Sequence, residues 1–255
     1  MKLDELLSII EKTAADNGIN KPMLVGGVPR DRLIGLVDKK SEIRDVDITT
    51  GNKDSLKLAI LLNKKLEGSR YTVFDDGHVS VDIQGLHFDF SSNFVALGVK
   101  EELAKKGKEN PSAMELELFS RDFTMNTLLE TLNFETMCDL TGEGISDIKM
   151  KIIRCPINPE ITIGVDPRRI LRAIKFSIKF GFGIEDSLKT AMLNNHRKIS
   201  ELPKKFVSDK ATEIALLDAD KGIDMLIEYK LLPLIPLSKT LSDILIQHRK
   251  LVRAL

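Results

Sequence analysis

The sequence predicts an α+β fold, on three observations. An acid-bearing strand pattern, Asp45-Val46-Asp47-Ile48, follows a glycine turn at Gly26-Gly27. Three further strand patterns crowd into residues 71–90, and past about residue 150 only helical patterns remain. That shift divides the chain into a mixed domain, residues 1–150, and a helical one, residues 151–255. A length of 255 residues gives both room for a core.

The elements follow in order. Leu3, Leu6, Leu7, Ile10 and Ala14 recur at helical spacing, and Asn17-Gly18 is a stop signal. The apolar run Met23 to Val25 runs into Gly26-Gly27, and a short helix then carries Arg30 and Asp31. Residues Val37 to Glu42 form a polar connection to the Asp45–Ile48 strand, and Asp54 to Leu66 reads as another helix. Tyr71 to Phe74, Val79 to Ile83 and Leu86 to Phe90 are strands, joined by turns at Asp76-Gly77 and Gln84-Gly85. The charged stretch Lys100 to Ser112, with Gly107 and Pro111, predicts a mobile surface loop. Leu118 to Leu132 has the apolar period of a helix, with Asp122 and Asn126 one turn apart. From Asp166 helices follow: residues 166–182, Ser187 to Asn194, Pro203 to Leu217, Ile223 to Tyr229, and a last one from Leu241.

The formal net charge is zero, so bulk charge announces no nucleic-acid partner. Its distribution is uneven: Asp166 to Lys210 holds eleven Lys/Arg against five Asp/Glu, a local +6 that leaves −6 for the remainder. A phosphate-rich partner lying across both parts fits this count, and so does a solvated helical face. Cys138 and Cys155 make neither a disulfide framework nor a zinc site. The acids in the first eighteen residues exclude a signal peptide, and nothing approaches a membrane span. A reducing, cytoplasmic compartment is the expectation.

Strand side chains alternate faces, so Asp45 and Asp47 project from one side, about 6.5 Å apart. Two carboxylates beside a glycine turn suit a magnesium site that handles a triphosphate, the freed amides before a helix cradling phosphate oxygens. A plain strand-to-helix turn near an unrelated acidic strand is the alternative. Two-metal transfer usually wants a third carboxylate, and Asp89, on a strand able to pair beside Asp45 and Asp47, is the candidate. Asp82 is its rival, although strand alternation marks Asp82 as a solvent-face residue. Asp166 before Pro167 reads as a helix cap, with Ile170, Ala173, Ile174, Ser177 and Ile178 as a buried stripe and Arg168, Arg172, Lys175 and Lys179 as a basic edge. Arg169 falls off that edge, near Asp166. Such a pair can also read a base: the carboxylate accepts from an exocyclic amine and the guanidinium donates to a ring acceptor. Cytosine and adenine offer that pattern; uracil and guanine do not.

Four motifs in order, GGVPRDRLIG with DVD, RDFTMNTLL, DLTGEGISDIKMKIIR and DPRRILRAIKFSIKFGF, resemble the head and neck of class II tRNA nucleotidyltransferases (CCA-adding enzymes) and bacterial poly(A) polymerases, over about residues 20–235. The resemblance implies a DNA polymerase β-like nucleotidyltransferase head, a mixed sheet flanked by helices, followed by an all-helical neck with a short remnant of a body domain. It implies template-independent addition from CTP and ATP to a tRNA or other RNA 3′ end, with Mg2+. By the matching motifs Gly26, Gly27 and Arg30 would hold the triphosphate. Asp45 and Asp47 would bind the metals, with Asp89 a further catalytic acid. Arg121 and Asp122 would contact ribose and phosphates near Asn126. Asp166 and Arg169 would act as the amino-acid template, with Arg172 beside them. A-only addition and an inactive RNA-binding relative are the competing readings. The chain departs from the family in three places. Ser120 precedes Arg121 where an arginine is usual, the Gly27–Asp45 span is longer, and ELPKKFVSDKATEI replaces the usual neck motif. Family members usually continue into body and tail domains, so a homo-oligomer or a second subunit is expected to replace them.

Overall fold

The computed structural model describes residues 2–37, 42–75 and 77–252. It divides into two compact units, residues 1–149 and 150–255.

The first unit is built on a seven-stranded mixed sheet of order β3-β4-β5-β2-β1-β6-β7. The strands are β1 (Met23–Val25), β2 (Asp45–Thr49), β3 (Arg70–Val73), β4 (Val79–Ile83), β5 (Leu86–Phe90), β6 (Leu129–Thr131) and β7 (Met137–Cys138). Helix α1 (Leu3–Asp16) lays Leu6, Leu7 and Ile10 into the core, and α3 (Ser55–Lys65) adds Leu58, Ala59 and Leu62. Val46, Ile48, Val79, Val81, Phe88 and Phe90 answer from the sheet. Because β2 alternates, burying Val46 and Ile48 turns Asp45 and Asp47 to the opposite face. The Gln84-Gly85 turn has positive φ at both residues, 51° and 81°, the conformation a two-residue hairpin requires. Residues 38–41 and Asp76, which fall in the expected connection and in the first hairpin turn, lie outside the described residues.

Two expectations are corrected. Leu118–Leu132 is not one helix: α5 (Ala113–Phe119) ends, a 3-10 turn follows at Thr124–Asn126, and β6 pairs antiparallel with β1. Local side-chain bonds compete with the helix there. The Asp122 carboxylate accepts from the Phe123 amide at 2.9 Å, and Thr127 Oγ1 donates to the Thr124 carbonyl at 2.7 Å. The expected loop at Lys100–Ser112 begins inside a helix, α4 (Val99–Lys105). Val99 and Leu103, four apart, are fully buried, and of the helix's charges only Glu102 is buried with them.

The second unit follows α2 (Gly27–Ile34) and α6 (Gly144–Met150) of the head. It comprises α7 (Pro159–Val165), α8 (Arg168–Phe180), α9 (Asp186–Asn195), α10 (Lys204–Leu217), α11 (Ala219–Glu228) and α12 (Lys239–Val252). It is helical apart from a two-residue parallel ladder between β8 (Ile152–Ile153) and β9 (Gly183–Ile184). The α8 stripe is corrected: Arg169, Leu171 and Phe176 are buried with Ile170, Ala173 and Ile174, while Ser177 and Ile178, expected in the stripe, are only half-buried. Among the described residues, no helix is long and apolar enough to cross a membrane.

Candidate active site

Strand β2 runs parallel to β5 in a register that sets Asp47 beside Asp89 and Asp45 beside His87. Asp47 and Asp89 line a cavity of about 220 Å3 with Ile48, His78, Phe90, Ser91, Ser92 and Arg121. Asp45 lies further out on the same strand face and is exposed. Asp82 is also exposed and hydrogen-bonds to His87 across the β4–β5 hairpin at 2.6 Å, while the Ser80 hydroxyl donates to Asp89. The Asp82 hydrogen bond raises the His87 pKa above its usual value, against partial burial and with help from Asp89.

The glycine turn and the acidic strand form one site. Gly26, the N-cap of α2, has φ +74°, and a Cβ there would stand 2.5 Å from Asp47 Oδ2 and 3.5 Å from Arg121 Nη1. The Gly27 amide donates to Asp47 Oδ2 at 3.3 Å. Burial pushes the Asp47 carboxyl above its ordinary pKa, opposed by the Arg121 guanidinium. Behind Asp47 sits Glu117 of α5, buried, which accepts from Thr49 Oγ1 (2.6 Å), Ser91 Oγ (2.7 Å), Asn93 Nδ2 (3.1 Å) and Arg121 Nη2 (2.9 Å). Burial alone would raise the Glu117 pKa, but Arg121 and the two hydroxyl donors hold it below the usual range.

A second chain of bonds joins the remaining head candidates. Arg30 is buried, donates from Nε to Asp31 at 2.6 Å and from Nη1 to Asn126 Oδ1 at 2.7 Å. Asn126 Nδ2 in turn donates to Asp122 Oδ1 at 2.9 Å. Ser120, which stands where an arginine was expected, is buried: its hydroxyl donates to the Leu116 carbonyl at 2.6 Å and accepts the Ala96 amide at 2.9 Å. It is a structural fastener.

In the second unit, Asp166 Oδ1 accepts both the amide (3.0 Å) and Nε (2.8 Å) of Arg168, so the carboxylate caps α8. Its other oxygen lies 3.9 Å from Nε of Arg169, whose Nη1 donates to the Thr162 carbonyl at 3.3 Å. Arg172 lies over the Phe176 ring at 5.2 Å. On the basic helices Lys175, Lys205 and Lys210 pair with Glu213, Asp209 and Glu213.

Residues 23–154, just over half of the chain, match the family described as the Poly A polymerase head domain. The chain belongs to this family. It is 27% identical over 206 residues to the tRNA nucleotidyltransferase cca2 of Schizosaccharomyces pombe, covering 74% of this chain and 42% of that protein. It is 27% identical over 225 residues to poly(A) polymerase I of Escherichia coli O6:H1, covering 84% and 46%. A solved tRNA nucleotidyltransferase, complexed with a primer tRNA and an incoming ATP analog, superposes with a TM-score of 0.64 at 26% identity, covering 89% of this chain and 62% of that one. The chain thus spans less than half the length of these two curated relatives.

Of the residues singled out from the sequence, the head-domain fold brings together Gly26, Gly27, Asp47, Asp89 and Arg121, and separately links Arg30, Asn126 and Asp122. Glu117 went unnoticed, although its i,i+4 spacing to Arg121 was a readable signal. Among the described residues no group of three His, Cys, Asp or Glu side chains converges on one metal position. The donor set still suits a hard cation: Asp47 and Asp89 supply carboxylate oxygens into one cavity, with Asp45 on the same face.

Proposed function

We propose that this chain is an RNA 3′-terminal nucleotidyltransferase, its head at residues 1–150 and its neck, with a short body remnant, at 151–255, adding C and/or A from CTP and ATP to tRNA 3′ ends. The observation that carries this reading is the β2–β5 register, which sets Asp47 beside Asp89 in a cavity edged by Arg121, with Gly26 packed close to Asp47. Sequence likeness to proteins named as a tRNA nucleotidyltransferase and a poly(A) polymerase supports it. Two cysteines, Cys138 and Cys155, are too few for a disulfide framework, and this supports action in a reducing, cytoplasmic compartment.

In this mechanism Asp45 and Asp47 would hold Mg2+, and Asp89 would support them. Magnesium, when bound, supplies Lewis-acid activation of the attacking hydroxyl and neutralises charge on the leaving oxygens. The RNA 3′-hydroxyl gives up its proton to solvent, its oxygen attacks the α-phosphorus, the bond from that phosphorus to the α–β bridging oxygen breaks, and pyrophosphate leaves. Gly26 and Gly27 give the backbone room to approach the phosphates, and Arg30 and Arg121 balance their charge. Asp122, with Asn126, holds the ribose. Asp166 and Arg169 read the amine and ring acceptor of cytosine or adenine, with Arg172 stacking nearby.

Incubation with a tRNA lacking its terminal CCA and each labelled nucleotide separately tests this. CTP incorporation followed by ATP is the expected result. ATP alone would mean A-only addition, and incorporation of neither would overturn the reading. In wild-type background, Asp45→Ala with Asp47→Ala should abolish incorporation while RNA binding stays nearly intact.

A further inference from the structure

An aromatic pair stands on the rim of the same cavity without contributing to the core. Phe74 follows the edge strand β3, His78 precedes β4, and the hairpin that joins them closes through the Phe74 amide to the His78 carbonyl at 3.0 Å. Their rings stack with centroids 4.0 Å apart and planes 7° from parallel. Phe74 is 42% exposed, as are Tyr71 and Val73 beside it on β3 to similar extents. His78 itself lines the cavity that holds Asp47, Asp89 and Arg121. Gly77 of the hairpin also lies near the cavity wall: a Cβ added there would come within 3.6 Å of the Ser92 Cβ, and Ser92 lines the cavity too.

The geometry points to Phe74 and His78 as a stacking platform for the terminal base of the acceptor RNA, a role that rests on the nucleotidyl-transfer reading above. In that reaction the 3′-oxygen must reach the α-phosphate held at the carboxylates, so the base on the same ribose lies within one nucleotide of the cavity. A flat, partly exposed aromatic pair at that distance meets the face of a base. It has few edge donors or acceptors aimed at base identity, and stacking tolerates any base. An enzyme whose acceptor end changes with every addition needs that tolerance. The incoming nucleotide is the less fitting occupant, since choosing cytosine or adenine requires edge contacts, which the Asp166–Arg169 pair offers.

The full chain, without nucleotide, is titrated into an RNA carrying 2-aminopurine at its 3′ terminus. Stacking on the platform should quench the fluorophore, and Phe74→Ala should remove most of the quenching. The KM for RNA in the same variant should rise about 5- to 100-fold, that for ATP or CTP should stay within about twofold, and Phe74→Trp should restore both signals. Phe74 is exposed, so its replacement leaves the core alone, and a circular dichroism melt confirms folding. Equal quenching in wild type and Phe74→Ala overturns the platform, as does a KM change confined to the nucleotide. Labelled-nucleotide incorporation by the wild-type chain is scored separately. Quenching without incorporation therefore sinks the transfer reading and leaves the platform as an RNA-end site.

Discussion

Glu117 decides how Arg121 is presented, and through Arg121 it bears on Asp47. Four donors converge on its buried carboxylate, and two of them, Thr49 and Ser91, stand at the ends of the acid-bearing strands β2 and β5. Truncation would strand those donors and leave the Arg121 charge with Asp47 as its remaining nearby acid, so Glu117→Ala should cost about 2–4 kcal/mol in urea unfolding. Its lowered pKa also sets a pH dependence. A carboxyl whose folded pKa lies below the unfolded value contributes stability that is present above the unfolded pKa and is lost as pH falls through the folded one. The wild-type chain should therefore lose stability as pH drops below about 4.5, and Glu117→Gln should flatten that part of the curve. Gly26 is the second decisive residue. With φ at +74° and Asp47 Oδ2 at 2.5 Å from any Cβ, Gly26→Ala combines backbone strain with displacement of a proposed metal ligand. Incorporation should fall at least 100-fold, with a Tm drop of only a few degrees. Unchanged turnover would mean that the turn does not approach the reacting phosphates.

At the scale of elements, α6 is the support behind the Arg30–Asn126–Asp122 chain. Asp139 fastens its start, accepting from Thr141 Oγ1 at 2.8 Å and from the Gly142 and Ile145 amides at 3.0 Å each. The helix then carries Asp147, fully buried, which accepts Thr124 Oγ1 at 2.7 Å, and Thr124 opens the 3-10 turn that contains Asn126. Close packing reinforces this, since a Cβ on Gly144 would lie 2.6 Å from the Thr124 carbonyl oxygen. Asp139→Ala removes a cap worth about 1 kcal/mol and should lower Tm by about 2–4 °C. It should also raise the KM for nucleotide, because Asn126 then holds Arg30 less firmly. A Tm shift with no change in KM would show that α6 supports the fold alone. The elements also show where sequence reading stops. Asp45, Asp47 and Asp89 were assigned to strands by alternation, and those assignments stand with β2 and β5. Leu118–Leu132 was misread as a helix because its apolar spacing is helical, whereas the local bonds at Asp122 and Thr127 turn the chain after Phe119. The decision went to the edge of β1, whose unpaired backbone groups take Leu129–Thr131 as a neighbouring strand.

For the whole molecule, the uneven charge is the property that bears on partners. The excess of +6 in residues 166–210 lies within the second unit, and several of its lysines are already engaged by Glu213, Asp186 and Asp209. Exposed charges that remain should make RNA binding fall with salt, log K declining by about 0.7 per phosphate neutralised on a single strand. Neutral replacement of Lys179 and Arg197, both exposed, should reduce that slope by about 0.7 to 1.4 in a binding titration across salt concentrations. An unchanged slope would place the RNA contacts elsewhere.

Sequence alone determined what depends on neighbours along the chain: the period of α1, α3 and α8, the alternation that puts Asp45 and Asp47 on one face, and the glycine turn ahead of α2. Order and spacing of motifs were enough to mark the family. Tertiary structure decided what depends on register and burial. It set Asp47 beside Asp89 across a parallel ladder, made Glu117 the acceptor for three distant donors besides Arg121, and turned Ser120 into a fastener. It also brought His78 to the cavity wall. The physical reason is that strand pairing and desolvation are set by residues far apart in sequence, whose contacts exist only once the sheet has closed over its core.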